Sequence, residues 1–276
     1  MRTPAWPVVW AAHAAILLVS LVALYPVCWV VVMALTPSQT WTGGVIPWTY
    51  NPSLSNFVDL FANEGIGRML VNSLIVSVAT ALVGLSVATT AAWILSRRAF
   101  PGREAVVGGF LLTQMFPGVV MAIPLYLLLD AFGLLDRLLG LVLVYATTSI
   151  PFATWTLKGW FDGLPKDLEE AALLDGASRW VIFTRVLLPL LRPALAVTGM
   201  FCFLNAWNEF VLAASLLSDP QAFTLPVVLQ RFVGDQGTEW GHFAAGSIIT
   251  SAPVIVLFFA LQRHFVGGLT AGAVKG

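Results

Sequence analysis

Three polar side chains lie close together inside an otherwise apolar run: Asn205, Asn208 and Glu209. Their spacing of i, i+3 and i+4 predicts that they share one face of a helix, with Trp207 on another face. A carboxylate within a bilayer-compatible segment is energetically costly, so Glu209 is a functional candidate that faces a cavity or a partner helix. Amides, a carboxylate and aromatic rings suit a polyhydroxylated ligand. The alternative is interhelical hydrogen bonding that joins two subunits.

The sequence contains no phosphate-binding loop or metalloprotease motif of its own. A P-loop needs a Gly-Lys-Ser/Thr triplet, and the three lysines Lys158, Lys166 and Lys275 follow Leu, Pro and Val. There is no His-Glu-x-x-His pattern, so an intramembrane zinc enzyme is not indicated. If ATP drives this protein, another subunit binds it.

Composition places the chain in a membrane. Of its 276 residues, 58% are hydrophobic and only 10% are charged, whereas a soluble protein carries about 25% charged residues. The basic residues form no patch beyond short loops, which excludes nucleic acid as an expected partner. Neither the two cysteines nor the three histidines have a partner at disulfide or metal-ligand spacing, so we expect structural roles for them. The residues concerned are Cys28, Cys202, His13, His242 and His264.

The apolar runs predict six transmembrane helices and an all-α fold, since a span needs about 20 apolar residues. The predicted spans are residues 8–36, 69–94, 105–129, 138–156, 194–217 and 243–261. The first run is too long for a signal peptide. Pro117 and Pro124 in the third run predict a kink or break beside a cavity.

Basic residues are distributed unevenly between the two sides of these spans. One side carries 11 of the 14, namely Arg2, Arg97, Arg98, Arg103, Lys158, Lys166, Arg179, Arg185, Arg192, Arg263 and Lys275. The other side carries Arg68, Arg137 and Arg231. The positive-inside rule therefore predicts that both termini and the 157–193 loop are cytoplasmic.

The segment from Asp167 to Pro193 is the only long amphipathic, charged stretch. Asp167 with Glu170 predicts an acidic variant of the capping box, and Gly176 predicts a left-handed helix end. Trp180, Phe183 and Leu187 then restart an apolar face. We expect two short helices across a glycine turn at the membrane surface. They provide a surface that another protein can bind, or form a connector lying on lipid headgroups.

This segment resembles the loop signature of ABC importer permeases, E-A-A-x3-G-x9-I-x-L-P. Here it reads Glu170-Ala171-Ala172, Gly176 and Val186-x-Leu188-Pro189, with Val186 as the single departure. The resemblance implies a cytoplasmic coupling loop, 157–193, that docks into a cleft of an ATPase subunit and couples to it through residues 165–189. The implied coupling residues are Glu170, Ala171, Ala172, Asp175, Gly176, Leu188 and Pro189.

Two further segments narrow the resemblance to carbohydrate permeases. Trp207-Asn208-Glu209-Phe210 is similar to a segment of those proteins, and the glycine-rich C-terminus is similar to the tail of the second maltose-type permease subunit. By itself such a tail would be floppy; the resemblance implies that Thr270, Gly272 and Lys275 contact the ATPase. It also implies that the outer 218–241 loop probes a docked binding protein, although a solvated loop would look the same.

The resemblance covers nearly the whole chain. It implies one permease domain, 1–276, of type I importer fold that forms half of a sugar pore in a bacterial or archaeal inner membrane. The implied partners are a second homologous permease, two ATP-binding subunits that hold ATP and Mg, and an extracytoplasmic sugar-binding protein. The implied substrate is a maltose- or trehalose-like oligosaccharide. The alternatives are an importer of a polyol or glycerol phosphodiester, or a secondary transporter, which would show internal repeats and several intramembrane acids.

Overall fold

The protein is almost entirely helical in the computed structural model, which describes residues 6–40, 48–49, 51–234 and 237–273, with side chains as far as Arg263. Five helices have more than 15 residues: α1 (Trp6–Leu35), α3 (Ile66–Arg97), α6 (Leu138–Asp162), α10 (Arg192–Trp207) and α13 (Trp240–Ala273). The shorter helices are α2 (Ser55–Ala62), α4 (Arg103–Thr113), α5 (Gly118–Ala131), α7 (Asp167–Leu174), α8 (Arg179–Val181), α9 (Leu188–Leu190), α11 (Val211–Leu216) and α12 (Leu225–Arg231). Strand β1 (Val233–Gly234) pairs in antiparallel orientation with β2 (Gly237–Thr238).

Four helices in the described part of the chain are long and apolar enough to cross a membrane: Trp6–Leu35, Ile66–Arg97, Leu138–Asp162 and Trp240–Arg263. Two bent helix pairs raise the number to six if each pair is one span. The first pair, α4 and α5, meets at 101° beside Pro117, which confirms the predicted break in the third apolar run. The second bend, of 81°, separates Arg179–Leu190 from α10.

The fifth apolar run is not one continuous helix, contrary to the prediction for residues 194–217. Helix α10 ends at Trp207, three residues are non-helical, and α11 begins at Val211. The fourth helix is longer than predicted, since α6 continues through Pro151 to Asp162. A proline within a membrane helix can be accommodated when neighbouring groups satisfy the freed backbone carbonyl.

The chain divides into two compact units. The first comprises Met1–Gly67 with Val228–Ala252 and the second Arg68–Val227 with Pro253–Gly276. In the first unit, the buried Asn56 amide donates to the carbonyls of Ala34 and Thr36, at 2.9 and 2.8 Å, and so ties α2 to the end of α1. The apolar flank of α1 is otherwise exposed, as expected for a helix that faces lipid or another subunit.

The second unit contains a core against which residues 182–191 pack. Small residues of α3 and α6 allow close approach, and larger side chains of residues 182–191 fill the space between them. The buried members of this cluster include Ala88, Ala92, Ala153, Leu157, Phe161, Ile182, Phe183, Leu187 and Leu191.

Part of the 218–241 segment is ordered and buried. Asn72 donates from its amide to the carbonyls of Gln221 and Phe223, at 2.9 and 3.0 Å, and Ser73 accepts from the Leu225 amide at 2.8 Å. Phe223 and Leu225 are buried. The backbone between Gln221 and Leu225 is therefore hydrogen-bonded to α3, whereas residues 235–236 lie outside the described part of the chain.

Candidate functional site

Helix α7 begins one residue earlier than the predicted capping box requires. Lys166 is the N-cap residue and provides no side-chain cap, so Asp167 lies within the first turn and the box does not form. The first turn holds Asp167, Glu169 and Glu170. Negative charge there interacts favourably with the positive end of the helix dipole, which stabilises the start of α7 without a capping hydrogen bond.

Gly176 ends α7 as predicted. Its φ is +80°, the left-handed conformation in which glycine carries no penalty. The Ala177 amide donates to the Ala172 carbonyl and the Gly176 amide to the Leu173 carbonyl, both at 3.0 Å. These two bonds define a Schellman motif, and they turn the chain sharply into α8.

The two adjacent glutamates of α7 have different environments. Glu169 forms an ion pair with Arg97 at the end of α3, and both side chains are largely buried. The other guanidinium nitrogens of Arg97 donate to the Leu164 carbonyl at 3.2 Å and to Ser96 Oγ at 3.3 Å. Glu170 is exposed and forms no ion pair with the described residues. Glu169 therefore fixes α7 to the bundle, and Glu170 is available to a partner.

The tip of α7 is apolar as well as exposed. Leu174 is 90% exposed and Ala171 is also exposed, while Ala172 faces the core cluster. Together with Leu168 and Leu173, which are 40% and 49% exposed, Leu174 gives α7 an exposed apolar surface of the kind that marks interaction sites. Asp175 is the C-cap residue and is exposed.

The chain returns to the bundle through a π-helix, Ile182–Leu187. Its i to i+5 periodicity brings Ile182 and Leu187 onto one buried face, and Phe183 stacks on Trp93 of α3 with ring centroids 4.6 Å apart. Trp180 is 63% exposed, so the predicted apolar face of Trp180, Phe183 and Leu187 is correct only for the last two.

The end of the loop motif is half-buried. Val186, Leu188 and Pro189 lie against or beside the core cluster, and Pro189 occupies the first turn of α9, where no intrahelical donor is needed. These residues anchor the 167–193 segment to the bundle. Of the other residues in the loop motif, Glu170, Ala171, Asp175 and Gly176 are exposed.

Glu209 lies in the break after α10, so the predicted single helical face of Asn205, Asn208 and Glu209 is wrong. Its carboxylate accepts from the Leu212 and Ala213 amides at 2.9 and 3.0 Å, in the first turn of α11. It also accepts from the Tyr145 hydroxyl at 2.7 Å. Three donors therefore hold this half-buried carboxylate, and they lie within the same chain.

The two asparagines have different partners. Asn205 donates from its amide to Ser149 Oγ at 3.2 Å, which links α10 to α6. Asn208 is exposed and its side chain makes no hydrogen bond to the described residues. Both line an open cavity of about 570 Å³, together with Phe201, Leu204, Glu209, Phe210 and Val211. Trp207 is buried and stacks on Phe203, and it does not line this cavity.

The C-terminal segment is helical where it is described. Helix α13 continues to Ala273, so the glycine-rich stretch with Thr270 and Gly272 is not a floppy tail. Lys275 lies outside the described residues. The predicted ATPase contacts of these three residues remain predictions.

Sequence reasoning missed Arg97 and Tyr145. Arg97 pairs with a residue 72 positions away, and Tyr145 with one 64 positions away. Arg97 is the only charged residue within α3 after Arg68. An arginine at the end of an apolar run, with an acidic cluster in a loop on the same predicted side of the membrane, is a sequence signal that could have indicated the pair.

Comparison with known proteins assigns the chain to a protein family. Residues 82–270 match the family described as binding-protein-dependent transport system inner membrane component. The chain belongs to this family and is therefore a multi-pass transport subunit of an inner membrane.

Individual relatives of the chain are permeases named for the sugars that they transport. The chain is 37% identical to the trehalose transport system permease protein SugB of Mycobacterium tuberculosis, over 92% of this chain and 93% of that protein. It is 34% identical to the maltose/maltodextrin transport system permease protein MalG of Vibrio vulnificus, over 97% and 96%. The resemblance to ABC permeases of the maltose type is thereby confirmed.

A solved structure shares the fold. A chain of a bacterial ABC transporter involved in the import of the acidic polysaccharide alginate superimposes with a TM-score of 0.80 and 22% identity, covering 96% of this chain and all of that chain. The type I importer permease fold predicted from the loop motif is confirmed.

Proposed function

We propose that this chain is one of two permease subunits of an ATP-driven sugar importer. The observation that carries the proposal is the geometry of α7, whose exposed face presents Glu170, Ala171 and Leu174 while Glu169 and the π-helix fix it to the bundle. A rigidly attached helix with a free carboxylate and an exposed leucine can transmit a pull from a bound partner to α3 and α6.

The partner is an ATP-binding subunit, which supplies ATP and Mg that this chain has no motif to bind. Two such subunits, a second homologous permease and an extracytoplasmic sugar-binding protein complete the importer. The positive-inside rule supports a cytoplasmic position for α7 and both termini. ATP binding shifts the transporter between inward and outward states only if the ATPase cleft binds α7 differently in the two.

The proposed substrate is a maltose- or trehalose-like oligosaccharide. Two features support this: the relatives named for trehalose and maltose transport, and the open cavity lined by Asn208, Asn205 and aromatic or apolar side chains. A free amide can hydrogen-bond sugar hydroxyls, and apolar side chains can contact sugar ring faces. Asn208 is the strongest candidate for contact because its amide has no partner among the described residues, whereas Glu209 is held by three donors.

The test is ATP hydrolysis and uptake by the gently solubilised native complex, with co-purifying subunits identified by mass. We expect a P-loop ATPase and a second permease in the complex, and stimulation of hydrolysis by a binding protein loaded with an α-glucoside from a panel of sugars and polyols. A chain that purifies alone and transports without nucleotide would overturn the importer assignment. Stimulation by a polyol or phosphodiester alone would overturn the sugar assignment.

A further inference from the structure

A second cavity lies beside the 167–193 segment. It has a volume of about 460 Å³ and lies between the end of α3, helix α7 and the start of α8. Its lining residues are Trp93, Ile94, Arg97, Arg98, Glu169, Leu173, Arg179 and Ile182. This cavity shares no lining residue with the open cavity at Phe201 to Val211.

The charged residues that line this cavity carry a net positive charge. Three arginines and one glutamate line it. The glutamate is already paired with Arg97. Arg98 and Arg179 are exposed, and among the described residues neither guanidinium forms an ion pair or a side-chain hydrogen bond. Two free guanidinium groups therefore share one cavity, an arrangement that favours an oxyanion with several acceptor oxygens, such as a phosphate group.

The other half of the cavity is apolar. Ile94 and Leu173 are about half exposed, at 48% and 49%, and Trp93 and Ile182 complete this wall. Ile94 continues the apolar surface of α3, which extends back through the predicted span. A tryptophan followed by arginines is typical of the level at which a membrane helix leaves the hydrocarbon and enters the headgroup layer. A soluble anion would leave the apolar wall exposed, whereas an amphiphile covers it.

We infer that this cavity binds an anionic phospholipid of the cytoplasmic leaflet. The phosphate group lies between Arg98 and Arg179, and an acyl chain lies along Ile94 and the apolar surface of α3. The net positive lining favours phosphatidylglycerol or cardiolipin over a zwitterionic lipid, because basic pockets at the ends of membrane helices bind anionic headgroups. The inference rests on the proposed orientation, which places this end of α3 on the cytoplasmic side.

Such a lipid would join two parts of the coupling apparatus. Arg98 follows the last residue of α3, and Arg179 is the first residue of α8, directly after the turn at Gly176. A phosphate shared by the two arginines would connect α3 to α8. Leu174 and Glu170 are exposed and do not line the cavity, so they would stay available for docking.

The experiment measures lipid bound to the purified complex by mass spectrometry, after exchange into detergent with increasing phosphatidylglycerol or phosphatidylcholine. The variant Arg98→Gln/Arg179→Gln is compared with Arg185→Gln/Arg192→Gln, which removes two exposed charges from the same side but does not line the cavity. We expect the first variant to bind phosphatidylglycerol about 10- to 30-fold more weakly than wild type, and the control to bind it as wild type does. If the double variant fails to assemble, Arg98→Gln is compared with Arg192→Gln in the same way.

Equal retention of phosphatidylglycerol by wild type and the cavity variant would overturn the inference. The inference would also be overturned if the wild-type complex bound phosphatidylcholine as tightly as phosphatidylglycerol. Glycerol 3-phosphate, which carries the phosphate without acyl chains, should not displace the lipid; displacement at comparable concentration would identify a soluble-anion site instead. Because binding is read without ATP or sugar, failure here is distinguishable from failure of the transport assignment.

Discussion

Glu209 shows how a polar residue in an apolar run can serve structure more than ligand binding. Its carboxylate accepts the two backbone donors that α11 leaves free at its start, and a tyrosine hydroxyl from α6. The residue thus stabilises a helix break inside a predicted span. A break of this kind turns the backbone beside the open cavity, where Asn208 is left with a free amide.

Replacement of Glu209 and Asn208 should therefore have different effects. Glu209→Ala leaves three donors without their acceptor, at a cost of about 1–3 kcal/mol for each buried donor, so we expect a lower melting temperature and reduced uptake together. Asn208→Ala removes no described hydrogen bond, so we expect an unchanged melting temperature and a raised KM for sugar. Thermal unfolding and uptake kinetics of the assembled complex measure both effects.

Tyr145→Phe is the matched control, since it removes only the hydroxyl donor and leaves the two backbone bonds of Glu209 intact. It should destabilise the complex less than Glu209→Ala. If Glu209→Ala raised the KM for sugar but kept the melting temperature of the wild type, the carboxylate would be a sugar ligand and the structural role would be wrong.

At the scale of elements, the turn between α7 and α8 depends on backbone conformation rather than on space. A Cβ built on Gly176 meets no atom within 4 Å, but its φ of +80° is unfavourable for residues with a side chain. The requirement for glycine therefore comes from the backbone conformation that sets the angle between α7 and α8. Within this chain there is room for a side chain at position 176.

Gly176→Val should impair coupling more than Gly176→Asn. A β-branched residue in the left-handed region is strained by roughly 1–2 kcal/mol or more, whereas asparagine adopts that conformation readily. We expect Val to abolish or strongly reduce uptake with normal membrane insertion, and Asn to retain most of it. Uptake and sugar-stimulated ATP hydrolysis in the same preparations measure this. Normal uptake by Gly176→Val would exclude a coupling role for the turn, and equal losses in both variants would indicate a steric clash with the partner instead.

The sequence predicts elements best where one residue type determines the backbone locally. Pro117 and Gly176 each have such an effect, and the break and the turn lie where they were predicted. The break at residues 208–210 contains neither proline nor glycine. It depends on Tyr145 from another helix, a tertiary contact that local periodicity does not contain. Local periodicity does not predict the Arg97–Glu169 pair either, because the two residues are 72 positions apart and meet only in the tertiary structure.

At the scale of the whole molecule, six apolar runs predict the number of segments but not their shape. Two of the structure's candidate spans are bent by 81° and 101° at short breaks, and length and composition alone cannot distinguish a kinked span from a re-entrant one. The family model begins at residue 82 and so does not cover α1 or α2. The orientation of the chain in the membrane rests on the distribution of arginine and lysine.

The orientation predicts which loops a membrane-impermeant maleimide reaches. In a background with Cys28→Ser and Cys202→Ala, Ala99→Cys reports the loop between α3 and α4, and Gln221→Cys reports the segment after α11; both side chains are exposed. Because the excess of basic residues favours the cytoplasm for the first loop, we expect labelling of Gln221→Cys in intact spheroplasts and of Ala99→Cys only after permeabilisation. Sugar uptake by each variant controls for folding. The reverse pattern would place α7 outside the cell, where no ATP-binding subunit could reach Glu170, and the coupling proposal would fail with the orientation.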